Sequence, residues 1–203
     1  MSEITVEKKK LLLHTCCAPC TGHVYEVLSA EYCVTAFFFN PNISPRTEYN
    51  KRLDELKKYA LTRNFPLEEG PYDIRGWTAR VRPLRFHGER SVRCRECFRF
   101  RLGETFKKAE QLRMEAVATS LSISPHKDAA VINALGRELQ DQYGIEFHAA
   151  DFKKQDGYKK SVEISRLHGF YRQDYCGCIY SKMERDRESA WSARVRAFRS
   201  SFQ

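Results

Sequence analysis

The chain has 203 residues, 42% hydrophobic and 30% charged, with 35 Lys and Arg against 26 Asp and Glu for a formal charge of +9. It is long enough to bury a core without covalent staples, and eight cysteines are too few for a disulfide scaffold. Its N-terminus, Met-Ser-Glu-Ile-Thr-Val-Glu-Lys-Lys-Lys, lacks the apolar run of a signal peptide and no stretch approaches a membrane span. One cytoplasmic domain over residues 1–203, with its thiols kept reduced, is therefore expected.

Leu11, Leu12 and Leu13 form a short apolar run that reads as a buried strand ending at His14. A cysteine turn, 16–20, follows, and residues 21–28 look like the start of a helix. Residues 34–39 read as a second buried strand, stopped by Asn40, Pro41 and Asn42. Tyr49, Leu53, Leu56 and Ala60 recur at helical spacing, and residues 66–69 read as a third short strand. Residues 75–93 look irregular and basic, part of a loop or insertion over about 70–100.

From Arg75 to Arg113 there are twelve Lys or Arg, ten of them Arg, against four Glu, a balance of +8. Arg interleaved with Trp77, Phe86, Phe98, Phe100 and Phe106 suits RNA, whose phosphates take forked contacts and whose bases stack. A solvated Arg-rich face accounts for the same charge; the position of the segment around Cys94 and Cys97 favours a polyanionic substrate.

Leu102, Phe106, Ala109 and Leu112 mark a further helix, and residues 116–119 a strand followed by a Ser-Ile-Ser-Pro loop. Ile132, Leu135, Leu139 and Tyr143 mark a helix that stops at Gly144. Residues 145–149 read as the last strand, and the part from about 158 to 203 is mostly helical by pattern. Alternating strands and helices predict an α/β fold: an open, mostly parallel sheet with flanking helices and a helical C-terminal part. Ligands of such sheets bind beyond the carboxyl ends of the strands, and Cys16, Asn40, Thr119 and Asp151 all follow predicted strand ends.

Seven of the eight cysteines fall in three tight groups: Cys16, Cys17 and Cys20; Cys94 and Cys97; Cys176 and Cys178. Clustered thiols in a reducing compartment bind a soft metal, hold an iron–sulfur cluster or cycle as a dithiol. Cys17-x-x-Cys20 with Cys94-x-x-Cys97 has the local spacing of a zinc site, but the separation is far longer than in a zinc ribbon and three thiols are left over. The surplus points to a second function beside the first: another metal ion, or a redox pair. The glycine between Cys176 and Cys178 lets the backbone bend so that both sulfurs meet one target or each other. Cys33, in an apolar context, reads as a buried inert thiol.

The stretch Leu-Leu-His-Thr-Cys-Cys-Ala-Pro-Cys, then Asn40-Pro41-Asn42-Ile43 with Glu48, Tyr49 and Arg52, resembles the start of the QueH-type epoxyqueuosine reductases. The likeness continues through Arg93, Cys94, Cys97, Arg101 and Leu102, then Ser124 and Pro125, then Asp151-Phe152-Lys153-Lys154. It closes on Gly-Phe-Tyr-Arg-Gln-Asp-Tyr-Cys-Gly-Cys-Ile-Tyr-Ser at 169–181, its most specific run. The Arg-rich tail after Met183 is outside that pattern.

This resemblance implies a cobalamin-independent reductase that removes the epoxide oxygen of epoxyqueuosine in the wobble position of tRNA, fed by an external electron donor. It implies a [4Fe–4S] cluster and a core resembling the PP-loop nucleotide-binding fold. On that footing Cys16, Cys17, Cys94 and Cys97 are the expected cluster ligands, with Cys20 able to replace any of them. Cys176 and Cys178 are the expected redox pair or the ligands of an accessory iron. Asp151 is a candidate acid or metal ligand and Tyr175 a candidate proton donor; Arg172 and Lys127 are candidate phosphate contacts. Two other readings stay open. A PP-loop tRNA thiolation enzyme needs a glycine-rich phosphate loop where this chain has Thr-Cys-Cys-Ala-Pro-Cys. A zinc-stabilised RNA-binding module without catalysis would be colourless.

Overall fold

A computed structural model describes residues 7–200. Five strands, β1 (Lys10–Thr15), β2 (Cys33–Phe38), β3 (Leu67–Glu69), β4 (Ala116–Thr119) and β5 (Glu146–Phe147), form one sheet in the order β3-β2-β1-β4-β5, every pair parallel. Seven α-helices surround it among the described residues: α1 (Ala18–Ser29), α2 (Arg46–Arg63), α3 (Ile74–Val81), α4 (Val92–Gln111), α5 (Ala129–Tyr143), α6 (Gly157–Leu167) and α7 (Ile179–Ser200). None of the helices is long and apolar enough to cross a membrane.

β1 is central and covered on both faces, which is why it reads as a continuous apolar run. Leu12 packs on one side with Phe37, Phe106, Val117 and Leu135. Leu11 and Leu13 pack on the other with Val24, Leu28, Ala116 and Ala118. From β1 the chain crosses to β2 on one side and later to β4 on the other, so the strand order reverses between β1 and β4. Such a reversal opens a crevice beyond the strand ends. Cys16, leaving β1, and Ser120, leaving β4, meet there: the Cys16 backbone N–H donates to Ser120 Oγ at 3.3 Å.

Three elements differ from the sequence expectation. β5 is two residues long because the chain leaves the sheet after Phe147; one more bond, from the His148 N–H to the Val117 carbonyl, ends the pairing. The basic segment 75–93 holds α3, capped by the Asp73 carboxylate on the Gly76 N–H, and a 3-10 turn at Arg82–Leu84. α4 starts at Val92, ten residues before its apolar repeat becomes plain, with Ser91 as its cap. Its inward face at that end is made of Arg93, Cys97, Phe98 and Arg101, and an arginine on the buried face hides the period. The helical C-terminal part is interrupted at 168–178, where the Cys-Gly-Cys run lies. Residues 201–203 of the predicted tail lie outside the described residues.

His14 shows how the strand end is wired. Its ring is fully buried, with Nε2 3.3 Å from the Phe39 carbonyl and Nδ1 2.8 Å from Thr119 Oγ1. A carbonyl only accepts, so Nε2 carries the proton and Nδ1 takes the threonine's. Burial, then the charge of Arg101, lowers the imidazole pKa to about 3. The ring is neutral when folded and titrates near 6.5 when unfolded, so acid favours the unfolded chain. We expect a stability loss that starts below pH 6.5, grows down to about pH 3 and totals on the order of 4–5 kcal/mol. Denaturant midpoints of wild type and His14→Gln across that range check it; parallel pH curves for the two proteins would contradict it.

Candidate metal centre and cleft

The three cysteine groups sit at the starts of three helices. Cys17 is the N-cap of α1 in extended backbone, and Cys20 lies in the first turn of that helix. Cys94 lies in the first turn of α4 and Cys97 in the next. Cys178 directly precedes α7, and its sulfur accepts the Ser181 N–H at 3.3 Å. Helix N-termini carry partial positive charge and favour thiolate over thiol.

The seven thiols form two sets. In the first, the sulfurs of Cys16, Cys17 and Cys20 all lie within 4.8 Å of one another, close enough to share a metal, with Cys16 and Cys17 3.7 Å apart. Hydrogen bonding with Cys17 and Cys20 holds the Cys16 pKa well below the ordinary thiol range. That bonding in turn pushes Cys17 up to about 12, and Cys20 upward too. Thiols bound to a metal give up their protons, so metal binding to this triad is pH-dependent. The other four, Cys94, Cys97, Cys176 and Cys178, are linked to one another by charge, and Cys94 also packs against the core that holds Cys16 and Cys17. Cys94 is pushed to about 11 by burial and then by the charge of Cys176. Cys97 and Cys178 are raised by burial, and Cys176 adds to both. The Trp77 indole N–H reaches the Cys97 sulfur at 3.3 Å. Of the expected ligands, Cys16 and Cys17 share the tight triad with Cys20, and Cys94 packs beside the core that holds them. Cys33 is exposed at the edge of β2, not buried as its context implied.

Between the sets lies Lys127, on the loop that follows β4. Burial opposes its charge, but Cys176, Cys16 and Cys20 outweigh it and raise the ammonium pKa. Lys127, Cys20, Gln173, Tyr175, Cys176 and Tyr158 line a cleft of about 640 Å³. A second cavity of about 20 Å³ opens among Cys94, Lys127 and Cys176. Arg172, expected on phosphate, also lines the large cleft and donates to the Tyr158 hydroxyl at 3.0 Å.

Three buried arginines hold the frame. Arg52 pairs with Glu48 at 2.7 Å and donates to the carbonyls of Cys176 at 3.2 Å and Tyr175 at 3.4 Å. Arg93 pairs with Glu184 at 2.8 Å and so ties α4 to α7. Arg101 donates to Asn40 Oδ1, whose amide nitrogen holds the Thr15 carbonyl at 2.8 Å. The Cys-Gly-Cys bend is further locked from the loop after β2: the Ser44 N–H donates to the Gly177 carbonyl at 2.8 Å, and the Tyr175 hydroxyl to the Ser44 carbonyl at 2.7 Å. Gly177 has φ +116°, and a Cβ there would lie 3.0 Å from both Arg52 Nη1 and Ile43 Cγ1, so only glycine fits.

Asp151 does not line either cavity. Burial raises its pKa, but Lys153, 2.9 Å away, wins and holds the carboxylate charged. Lys153 in turn donates to the carbonyls of Ser122 at 3.1 Å and Lys127 at 3.4 Å, so Asp151 bears on the Lys127 loop from behind. Tyr175 does line the cleft; burial pushes its hydroxyl to about 12, and the proton rests on Ser44.

A metal centre fits this donor set. Arg101 Nε, Arg93 Nη2 and Gln173 Oε1 are buried without partners, while the other end of Gln173 donates to the Cys17 sulfur at 3.2 Å. Unpaired cationic N–H groups among thiols are costly unless an anionic group faces them. Gln173 and the arginines could be found in the sequence only by position: Arg52 lies four residues after Glu48, Arg93 beside Cys94 and Arg101 four after Cys97.

Comparison with known proteins agrees over most of the chain. The family model described as epoxyqueuosine reductase QueH matches residues 11–184. The chain is 36% identical over 190 residues to the epoxyqueuosine reductase QueH of Thermotoga maritima, covering 92% of this chain and 97% of that one. It is 37% identical over 180 residues to the QueH of Streptococcus pyogenes, covering 86% and 71%. To that of Haemophilus influenzae it is 36% identical over 174 residues, covering 85% and 71%.

Removing the guanidinium that holds the Cys176 segment leaves the largely buried Glu48 without its charged partner, with only the Tyr171 hydroxyl donating to it at 3.3 Å. Arg52→Met is expected to cost about 3–5 kcal/mol in unfolding free energy and to speed labelling of Cys176 by a thiol reagent in metal-free protein. Unchanged stability and unchanged labelling would contradict the clamp.

Proposed function

This chain belongs to the QueH family of epoxyqueuosine reductases and is an oxidoreductase; from that premise we propose that it removes the epoxide oxygen of epoxyqueuosine at the wobble position of a tRNA. The observation that carries this reading is the 640 Å³ cleft, large enough for one modified nucleoside, with thiols of both sets and a cation on its wall. Both carbon–oxygen bonds of the epoxide break; two electrons and two protons turn it into an alkene and water. A [4Fe–4S] cluster would supply electrons one at a time, and an accessory iron would polarise the departing oxygen.

The chain's own residues then divide the work. Cys16, Cys17, Cys94 and Cys97, with Cys20 in reach, are the proposed cluster ligands. Cys176 and Cys178 are the proposed redox pair, or the ligands of the accessory iron. Two proton carriers line the cleft: the Lys127 ammonium, already among thiols, and the Tyr175 hydroxyl, which must first leave Ser44. Asp151 acts, in this reading, through Lys153 on the loop that carries Lys127.

The parallel core is read as similar to the PP-loop fold, with the β1–α1 turn given to cysteines in place of a phosphate loop. The +8 segment draws the tRNA, and an external donor returns the electrons. All eight cysteines are free, which suits a reducing cytoplasm.

The test is anaerobic incubation with a chemical reductant and tRNA bearing epoxyqueuosine, followed by nucleoside analysis. Wild type is expected to yield queuosine; unchanged epoxyqueuosine would overturn the reading in favour of an RNA-binding module. Cys94→Ser is expected to bleach the visible absorbance, and Cys178→Ser to keep most of it while turnover stops. An unchanged spectrum in the first would remove Cys94 from the ligands, and normal turnover in the second would remove Cys178 from the chemistry.

A further inference from the structure

The loop 85–91, between the 3-10 turn and α4, is tied to its surroundings yet presents an aromatic ring to water. Phe86 is 86% exposed. Beneath it, buried Arg93 donates to the Arg85 carbonyl at 3.4 Å. Across the cleft mouth, Arg90 donates to the His126 carbonyl at 3.2 Å and the Pro125 carbonyl at 3.0 Å. Glu89 accepts from Ser181 at 3.1 Å, which ties the loop to α7. A loop so tied had the means to bury a phenyl ring, and burial would have stabilised it by about 2 kcal/mol. Folding does not explain this exposure.

The chemistry around the ring is cationic and planar. The Arg85 guanidinium lies 4.3 Å from the Phe86 ring centroid. Arg82 and Arg85 have no carboxylate partner among the described residues, whereas Arg80, Arg95 and Arg99 are each paired with glutamate. Gly88 and Glu89, two and three residues on, line the large cleft, so the ring stands within about 7 Å of chain from its rim. A protein hot spot would be ringed by other apolar groups; the neighbours here are Leu84, itself half-buried, Arg85, His87 and Gly88.

We propose that Phe86, backed by Arg85, is a stacking platform for an unpaired anticodon-loop base next to the wobble nucleotide, with Arg82 and Arg85 on the adjoining phosphates. It deepens the reading of the substrate as tRNA and rests on it. When the wobble nucleoside enters the cleft, its neighbour must leave the anticodon stack, and a base on an aromatic face beside cations recovers that contact. The platform touches no reacting atom, so its effect falls on binding.

The test measures the binding of a labelled anticodon stem-loop RNA to the whole chain by fluorescence anisotropy. Phe86→Ala is expected to weaken it about ten-fold or more, Phe86→Trp to restore it and Phe86→Leu to fail to restore it, with turnover at saturating tRNA unchanged in all three. An RNA made abasic at the stacked neighbour is expected to bind wild type and Phe86→Ala alike. Equal binding of the intact RNA by wild type and Phe86→Ala overturns the platform, as does full restoration by Phe86→Leu. Intact RNA binding with a raised KM for a protein electron carrier in Phe86→Ala would give the loop to the electron donor instead. Failure of wild type itself to bind the stem-loop would instead strike the tRNA reading on which the proposal stands.

Discussion

Gathering thiolates is an electrostatic problem, and the rest of the structure answers it. Two unit charges 4 Å apart repel by about 4 kcal/mol at the dielectric of a protein site near the surface, and here three sulfurs lie within 4.8 Å of one another. The neutralising charge is built into the fold. Three helices begin at the cysteine groups, so the partial charges of their N-termini fall on sulfur. Arg52, Arg93 and Arg101 are buried beside them, and Lys127 stands between the sets. His14, in the same neighbourhood, stays neutral because it is buried and because Arg101 already supplies positive charge.

The same groups also fix the geometry. Each arginine spends part of its fork on a carboxylate, an amide or a backbone carbonyl and thereby joins distant segments. Arg52 joins α2 to the Cys-Gly-Cys bend, Arg93 joins α4 to α7, and Arg101 joins α4 to the loop after β2. The donors left over, Arg93 Nη2 and Arg101 Nε, are the ones that an inserted anionic cluster would satisfy. Frame and counter-charge are thus one set of residues, which ties the position of the chemistry to the strand order: the cysteines of β1 and the loop after β4 meet because the sheet reverses direction between those strands.

The sequence made much of this legible where a single physical pattern ruled. Leu11–Leu13, 34–39 and 116–119 were plain as buried parallel strands because both of their faces are apolar. Gly144, left-handed at the end of α5, marked that helix end. The three cysteine groups were visible from spacing alone. What stayed hidden depends on long-range contact. The start of α4 looked irregular because its inward face uses arginine, which is polar by composition and here buried by pairing, whereas α3 is a two-turn helix that buries only Trp77 and Val81. The division of the thiols into 16, 17, 20 and 94, 97, 176, 178 follows from where β1, α4 and the C-terminal bend meet, which local spacing does not encode. Lys127 looked like a phosphate contact because nothing in its neighbours in the chain shows that it faces sulfur.

We propose that the buried cations and helix ends balance an iron–sulfur centre. Iron, acid-labile sulfide and zinc per chain, measured on protein purified without oxygen, test it most directly. The account predicts about four sulfides with four or five irons. Zinc without sulfide would contradict it.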